Sequence, residues 1–176
     1  MGSGHVFPTP LGALFKGAFA GAIGTLAMDL VWYRRYRREG GEQAFTEWEF
    51  SSDAEDYDEA GAPAQVGKRV VEGLFRIELD ADTAGPMNNL VHWATGIGWG
   101  QLHGVVAGSI GRSSPLLGLT TGTAAFLAGY TLLAPAGLYK PIWDYDAETL
   151  WKDWSAHLAY GLATGLAFAG MTHDHE

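Results

Sequence analysis

The chain has 176 residues, 47% of them hydrophobic and 12% aromatic, which suits one compact domain; its formal net charge of −9 argues against the basic patches that nucleic-acid binding needs. It has no cysteine, which excludes disulfides, thiolate nucleophiles and thiolate metal sites. The charge is uneven: thirteen of the 20 acidic residues lie between Glu39 and Asp82, while four long apolar stretches are nearly free of charge.

The first stretch, about 11–33, is long enough to cross ~30 Å of hydrocarbon, and it carries Gly17-xxx-Gly21 and Ala20-xxx-Gly24. Nothing positive precedes it, so a cleavable signal peptide is not expected, although Ala18-Phe19-Ala20 resembles a cleavage site. Lys16 can snorkel from its beginning, leaving Asp29 as the one expensive intramembrane charge. Arg34, Arg35, Arg37 and Arg38 follow as a stop-transfer pattern. Residues 39–63 have no sustained apolar period and read as a polar loop. Over about 64–78, Val66, Val70, Val71, Leu74 and Phe75 recur at helical spacing opposite Lys68, Arg69, Glu72 and Arg76, which predicts a short amphipathic helix at the headgroup level, with packing onto the bundle as the alternative.

The second long helix is expected at about 89–110. Glycines at 96, 100, 104 and 108 line one of its faces with bare backbone, and each interior glycine costs ~1 kcal/mol relative to alanine. Such a stripe makes sense where a bilayer forces the helix and small residues let backbones touch. Gly98, off the stripe, should tolerate a bulky replacement that Gly100 and Gly104 would not. Arg112-Ser113-Ser114-Pro115 supplies a turn with a serine cap, opening a third helix over about 116–138 that carries Gly118-xxx-Gly122 and bends or ends near Pro135. Asp146 can cap a fourth helix, about 146–171, with Gly161-xxx-Gly165.

The fold class that follows is all-α: an integral-membrane four-helix bundle of two tandem helical hairpins, with the interfacial helix in an acidic 34–87 loop. Nine of the eleven Lys and Arg residues fall in the 34–87 and 139–153 connections, which the positive-inside rule makes cytoplasmic. The expectation is a multi-pass protein of the inner (plasma) membrane with its termini outside. Trp32, Tyr33, Trp93, Tyr139, Trp143, Trp151 and Trp154 fit an interfacial aromatic belt on the cytoplasmic side. Its partners would be the lipid bilayer and either further copies or a larger membrane complex. Helices two and four both read H-x-A-x-G-x-x-x-G, from His92 and from His157, and helices one and three both begin Leu-Gly, at Leu11-Gly12 and Leu117-Gly118, as a duplicated hairpin would.

From Leu133 to Asp144, Leu-Ala-Pro-Ala-Gly-Leu-Tyr-Lys-Pro-Ile-Trp-Asp precedes the histidine-bearing Ser155-to-Gly161 segment. Together with the Leu90-Val91-His92 start of helix two, this run resembles the YagU-type small bacterial inner-membrane proteins. The resemblance covers roughly the second half of the chain. It implies a small multi-helix membrane protein and carries over no catalytic or ligand residue.

Of the polar residues, His92 and His157 hold matching places, and a twofold-like arrangement would bring both imidazoles to one pocket able to ligate haem or a metal. The preferred alternative is that each caps a helix start or hydrogen-bonds a neighbouring helix, with no cofactor and no metal. His103 shares a face with His92 about 16 Å further out, at a level where the fourth helix offers only Phe168 and no second ligand. Asp29 is either a proton or ion site or the partner of a nearby arginine. The terminal His173-Asp174-His175-Glu176 reads as a tail. No Ser-His-Asp spacing, phosphate loop or zinc-protease motif is present; polar intramembrane groups are few while close-packing faces are many, which points to a non-catalytic accessory subunit packing through its glycine faces. A small transporter or proton-linked unit using Asp29, His92 and His157 is the alternative.

Overall fold

A computed structural model describes residues 8–50 and 56–172, and among these every regular element is helical. The elements are α1 (Pro10–Arg38), α2 (Phe45–Phe50), α3 (Ala62–Val70), α4 (Ala84–Ile110), α5 (Pro115–Leu133) and α6 (Ala147–Thr172). The four long helices run alternately up and down.

Local chemistry sets their limits. Thr9 opens α1, its side chain accepting from Gly12 N at 3.2 Å ahead of Pro10 in the first turn. The helix runs past its expected end at 33 to Arg38, because Arg35, Arg37 and Arg38 suit the negative pole of its dipole. Residue 39 onward is not one uninterrupted loop, since α2 forms within it. The amphipathic segment is shorter than 64–78: α3 passes into a π turn at Val71–Phe75, and Arg76 closes it in the left-handed region at φ 57°. Helix α4 begins at Ala84, ahead of the expected 89, because Ala84 packs into a small core with Tyr57, Ala60 and Ala64. Ser114 caps α5 through Leu117 N at 3.2 Å, and Pro135 stops it at Leu133, short of 138. Asp146 accepts from Thr149 N at 2.8 Å and starts α6.

Helix α1 packs along α4, α6 packs along both α1 and α5, and α4 and α5 barely touch. The long helices therefore stand in the order α4, α1, α6, α5, with one side open. Glycines make the seams. A Cβ on Gly17, Gly21, Gly100 or Gly104 would overlap backbone of the facing helix of the α1–α4 pair, and Gly96 would meet the Thr25 side chain. Gly118, Gly122 and Gly161 do the same between α5 and α6, and a Cβ on Gly165 would sit tightly, 3.0 Å from Gly118 Cα. Gly108 is different. Its Cβ would lie at an ordinary 3.4 Å from Ala13, so the stripe fades there, and Gly98 faces nothing within 4 Å. These contacts are all internal to the chain.

Phe126, Tyr130, Tyr160 and Phe168 are buried, but much of the interior is small or polar and many large apolar side chains face outward. Thr25, Asp29, His103 and Thr164 are buried with alanines and glycines, while Phe15, Phe19, Leu90, Ile110, Leu116, Leu132 and Leu166 are exposed. By length and composition, α1 and α5 are apolar enough to cross a membrane, with mean hydropathy of 1.5 and 1.4 over their most apolar stretches.

Candidate functional site

The polar groups of the long helices converge where α1 ends and α6 begins. Asp29 lies on the face of α1 that continues the glycine seam toward α4, and its Oδ1 accepts from His92 Nε2 at 2.9 Å. Arg34, Arg35, Arg37 and Arg38 do not take that carboxylate. Arg35 instead turns to α6, donating to Ser155 Oγ at 2.7 Å and to the Lys152 carbonyl at 2.6 Å while lying 4.6 Å over the Trp32 ring. Asp29 Oδ2 is buried without a hydrogen-bond partner.

The third member is Glu49. Asn89 and Trp93, one turn apart on α4, grip it: Trp93 Nε1 donates to Glu49 Oε1 at 2.9 Å and Asn89 Nδ2 donates to its carbonyl at 3.1 Å. Burial pushes the Glu49 carboxyl above its ordinary range; the Trp93 donor opposes this, and the neighbouring Asp29 charge adds to it. Rings of Tyr33, Tyr36, Phe45 and Trp48 pack together and seat α2, and Tyr33 Oη donates to the Gln43 carbonyl at 2.9 Å. Asp29, Glu49, His92, Trp32, Arg35 and Lys152 border a cavity of about 530 Å³.

His157 lies on α6. Its Nδ1 is 3.0 Å from the Asp153 carbonyl, which can only accept, so Nδ1 carries the proton; Asp153 Oδ1 is 3.1 Å away. Tyr130 Oη donates to Asp153 Oδ2 at 3.0 Å, and Phe126 meets the imidazole edge-on. Asp153, one turn before His157, is a functional candidate the sequence reading passed over. The i, i+4 acid–histidine spacing was the signal for it.

His92 and His157 both line a second cavity, of about 450 Å³. They are not equivalent as ligands: His157 keeps Nε2 free, whereas His92 has its Nε2 hydrogen engaged by Asp29 and offers only Nδ1. Among the described residues no three His, Asp or Glu side chains are grouped to hold a metal ion. His103 is fully buried. Thr121 donates its hydroxyl to the Leu117 carbonyl at 2.9 Å, so His103 Nδ1 is the donor in the 2.9 Å contact with Thr121, while Phe168 stacks edge-on against the ring. Its Nε2 has no partner. The 173–176 tail lies outside the described residues.

The seams also give the register between the two hairpins. Gly21 abuts Gly96 and Gly100 as Gly118 abuts Gly161 and Gly165, so Gly118 corresponds to Gly21 and not to Gly12, whose near neighbours are Thr9 and Pro8. Continued by two turns, this register sets Phe126 against His157 where Asp29 stands against His92. The second histidine finds its carboxylate on its own helix instead. Gly96 and Gly161 are each approached by the glycine opposite, Gly21 and Gly118, but a Cβ on Gly96 would meet the Thr25 side chain and one on Gly161 the backbone of Gly118. Comparison with family models, curated proteins and solved structures finds nothing that matches this chain.

Proposed function

We propose that this is a four-crossing integral-membrane protein of the inner (plasma) membrane, of the kind the YagU-type resemblance implies, acting as a non-catalytic accessory subunit. The observation that carries this reading is the outward apolar surface: large Leu, Ile and Phe side chains lie exposed along α1, α4, α5 and α6 around an interior that includes many glycines and alanines together with Thr25, Asp29, His103 and Thr164. In this reading α4 and α6 cross beside α1 and α5, and the 39–83 and 134–146 connections are cytoplasmic. The glycine seams are occupied within the chain, so contact with further copies or a larger complex falls to the outward Leu, Ile and Phe side chains.

The absence of native cysteine gives a clean test. A thiol at Arg112→Cys should react with a membrane-impermeant maleimide on intact cells, while Glu42→Cys and Lys140→Cys should react only after permeabilisation. The protein should also resist alkaline extraction. Release by alkali, or labelling of Arg112→Cys and Lys140→Cys from one side, would overturn the reading.

A proton-linked unit is the second reading, favoured by the buried and half-partnered Asp29. Against it, the outer half of the α1–α4 pair is sealed by backbone contact at Gly17, Gly100 and Gly104. Proton flux in proteoliposomes abolished by Asp29→Asn would establish it.

A further inference from the structure

The open side of the helix row holds the 450 Å³ cavity, and its position and chemistry restrict what it can take. Helices α4 and α5 are tied by the His103–Thr121 hydrogen bond toward the end where α4 finishes and α5 starts. The cavity lies beyond that tie, between the same two helices. Its rim includes the exposed Thr95 and Leu132, Pro63 and Val66 cover its polar end, and α1 and α6 form its back. On the reading that the long helices cross a bilayer, on which this inference rests, the cleft opens sideways into lipid. A volume near 450 Å³ is of the size that holds one small molecule.

The walls are largely apolar and aromatic, with Trp32 and Trp99 among them; of the polar groups on them, His92 and Thr95 belong to α4, and His157 and Tyr139 to α6 and the connection before it. His157 directs its Nδ1 proton to Asp153; in the neutral imidazole Nε2 then carries the lone pair, and it has no hydrogen-bond partner among the described residues. The Tyr139 hydroxyl also has no hydrogen-bond partner among them. Burial and the nearby Asp153 charge hold that phenol protonated, so it remains a donor. His157 and Tyr139 thus supply an acceptor and a donor to a lipid-side cleft with aromatic walls. A saturated acyl chain would leave both unpaired.

We infer that this cleft binds a flat, hydroxyl-bearing ring delivered from the membrane, of the quinol class, with a ring hydroxyl donating to His157 Nε2 and a ring oxygen accepting from Tyr139. The corresponding quinone has only acceptors. It would pair with Tyr139 and leave Nε2 bare, so the reduced ring should bind better.

The test is a titration of the full-length chain in lipid nanodiscs, read by tryptophan fluorescence quenching, with decyl-hydroquinone under anaerobic conditions, decyl-quinone and decylbenzene as probes. Decyl-hydroquinone should quench saturably, the quinone should bind about tenfold more weakly for its one unmade hydrogen bond, and decylbenzene, which makes neither, more weakly still. His157→Leu and Tyr139→Phe should each weaken the hydroquinone by a similar factor, and Ala128→Trp, which fills the cleft, should abolish saturation. Equal binding of decylbenzene would overturn the hydrogen-bonded ring, and unchanged quenching in Ala128→Trp would mean that the probe dissolves in lipid only. If His157→Leu fails to fold, Tyr139→Phe, outside the helices, decides alone. Failure of this binding with the thiol-labelling pattern intact removes the ligand and leaves the topology. A chain released by alkali removes the topology whatever the titration gives.

Discussion

Asp29 and His92 form a buried contact whose worth lies in what each leaves behind without the other. Asp29→Leu strands the His92 Nε2–H beside α1, and a stranded buried donor costs about 1–3 kcal/mol. Adding His92→Leu should recover part of that loss, a coupling that thermal unfolding of the two single variants and the double variant would measure. Glu49 gives a pH-dependent counterpart. Its carboxyl is raised above the usual 4.5, so the folded chain holds that proton more tightly than the unfolded chain does. The resulting stabilisation is present below the unfolded value and is lost as pH rises through the folded one. Glu49→Gln mimics the protonated form, keeping an oxygen for Trp93 and offering Asp29 a donor. Melting temperatures should then show the variant more stable than the parent at about pH 7, with the difference vanishing near pH 4. Asp29 and His92 were visible in the sequence because charge is rare in apolar runs. Glu49 was hidden among many acidic neighbours, and only the fold distinguishes the one that Asn89 and Trp93 hold.

At the scale of the element, periodicity showed which helix faces meet, since glycine four apart names a face directly. It did not show how far each stripe reaches. Gly108 belongs to the pattern by spacing, yet α1 has already drawn away from it, and Gly96 meets a threonine side chain rather than backbone. Gly98→Ala and Gly108→Ala should therefore leave the fold unchanged or stabilise it by up to ~1 kcal/mol through helix propensity. Gly100→Ala or Gly118→Ala should destabilise by roughly 1–3 kcal/mol, as overpacked contacts do, and the leucine variants by more. A thermal-shift series in one detergent would check the ranking, and similar losses at 98 and 100 would contradict it. Helix α2 escaped the sequence reading for a different reason. Six residues make less than two turns, too few for a period to emerge, and its stability comes from the Tyr33–Tyr36–Phe45–Trp48 cluster and not from its own propensity.

For the whole molecule, pattern alone gave the number of long helices and their alternating direction, but left their neighbours undetermined. A closed bundle and an open row satisfy the same hydropathy, and the choice lies in which small faces match: Gly24 with Tyr160 and Thr164, Lys16 with the Met171 carbonyl at 2.7 Å, Arg35 with Ser155. Paired thiols would report that order. Arg35→Cys with Ser155→Cys should be joined by a short bifunctional thiol reagent between α1 and α6, whereas Thr95→Cys with Ala128→Cys, across the open side, should be joined far less readily. Mobility on non-reducing gels after thiol capping would distinguish the two pairs.

Because α1 contacts both α4 and α6, the earliest long helix to emerge from the ribosome is completed by the latest. The face carrying Gly24 and the end carrying Lys16 must wait through the making of two other long helices, α4 and α5, before α6 arrives to cover them. During that interval the half-built protein presents a bare groove of small residues. A nascent chain halted after α5 would be open to any cellular factor that recognises unfinished membrane proteins, and release of the last helix would be the event that closes it.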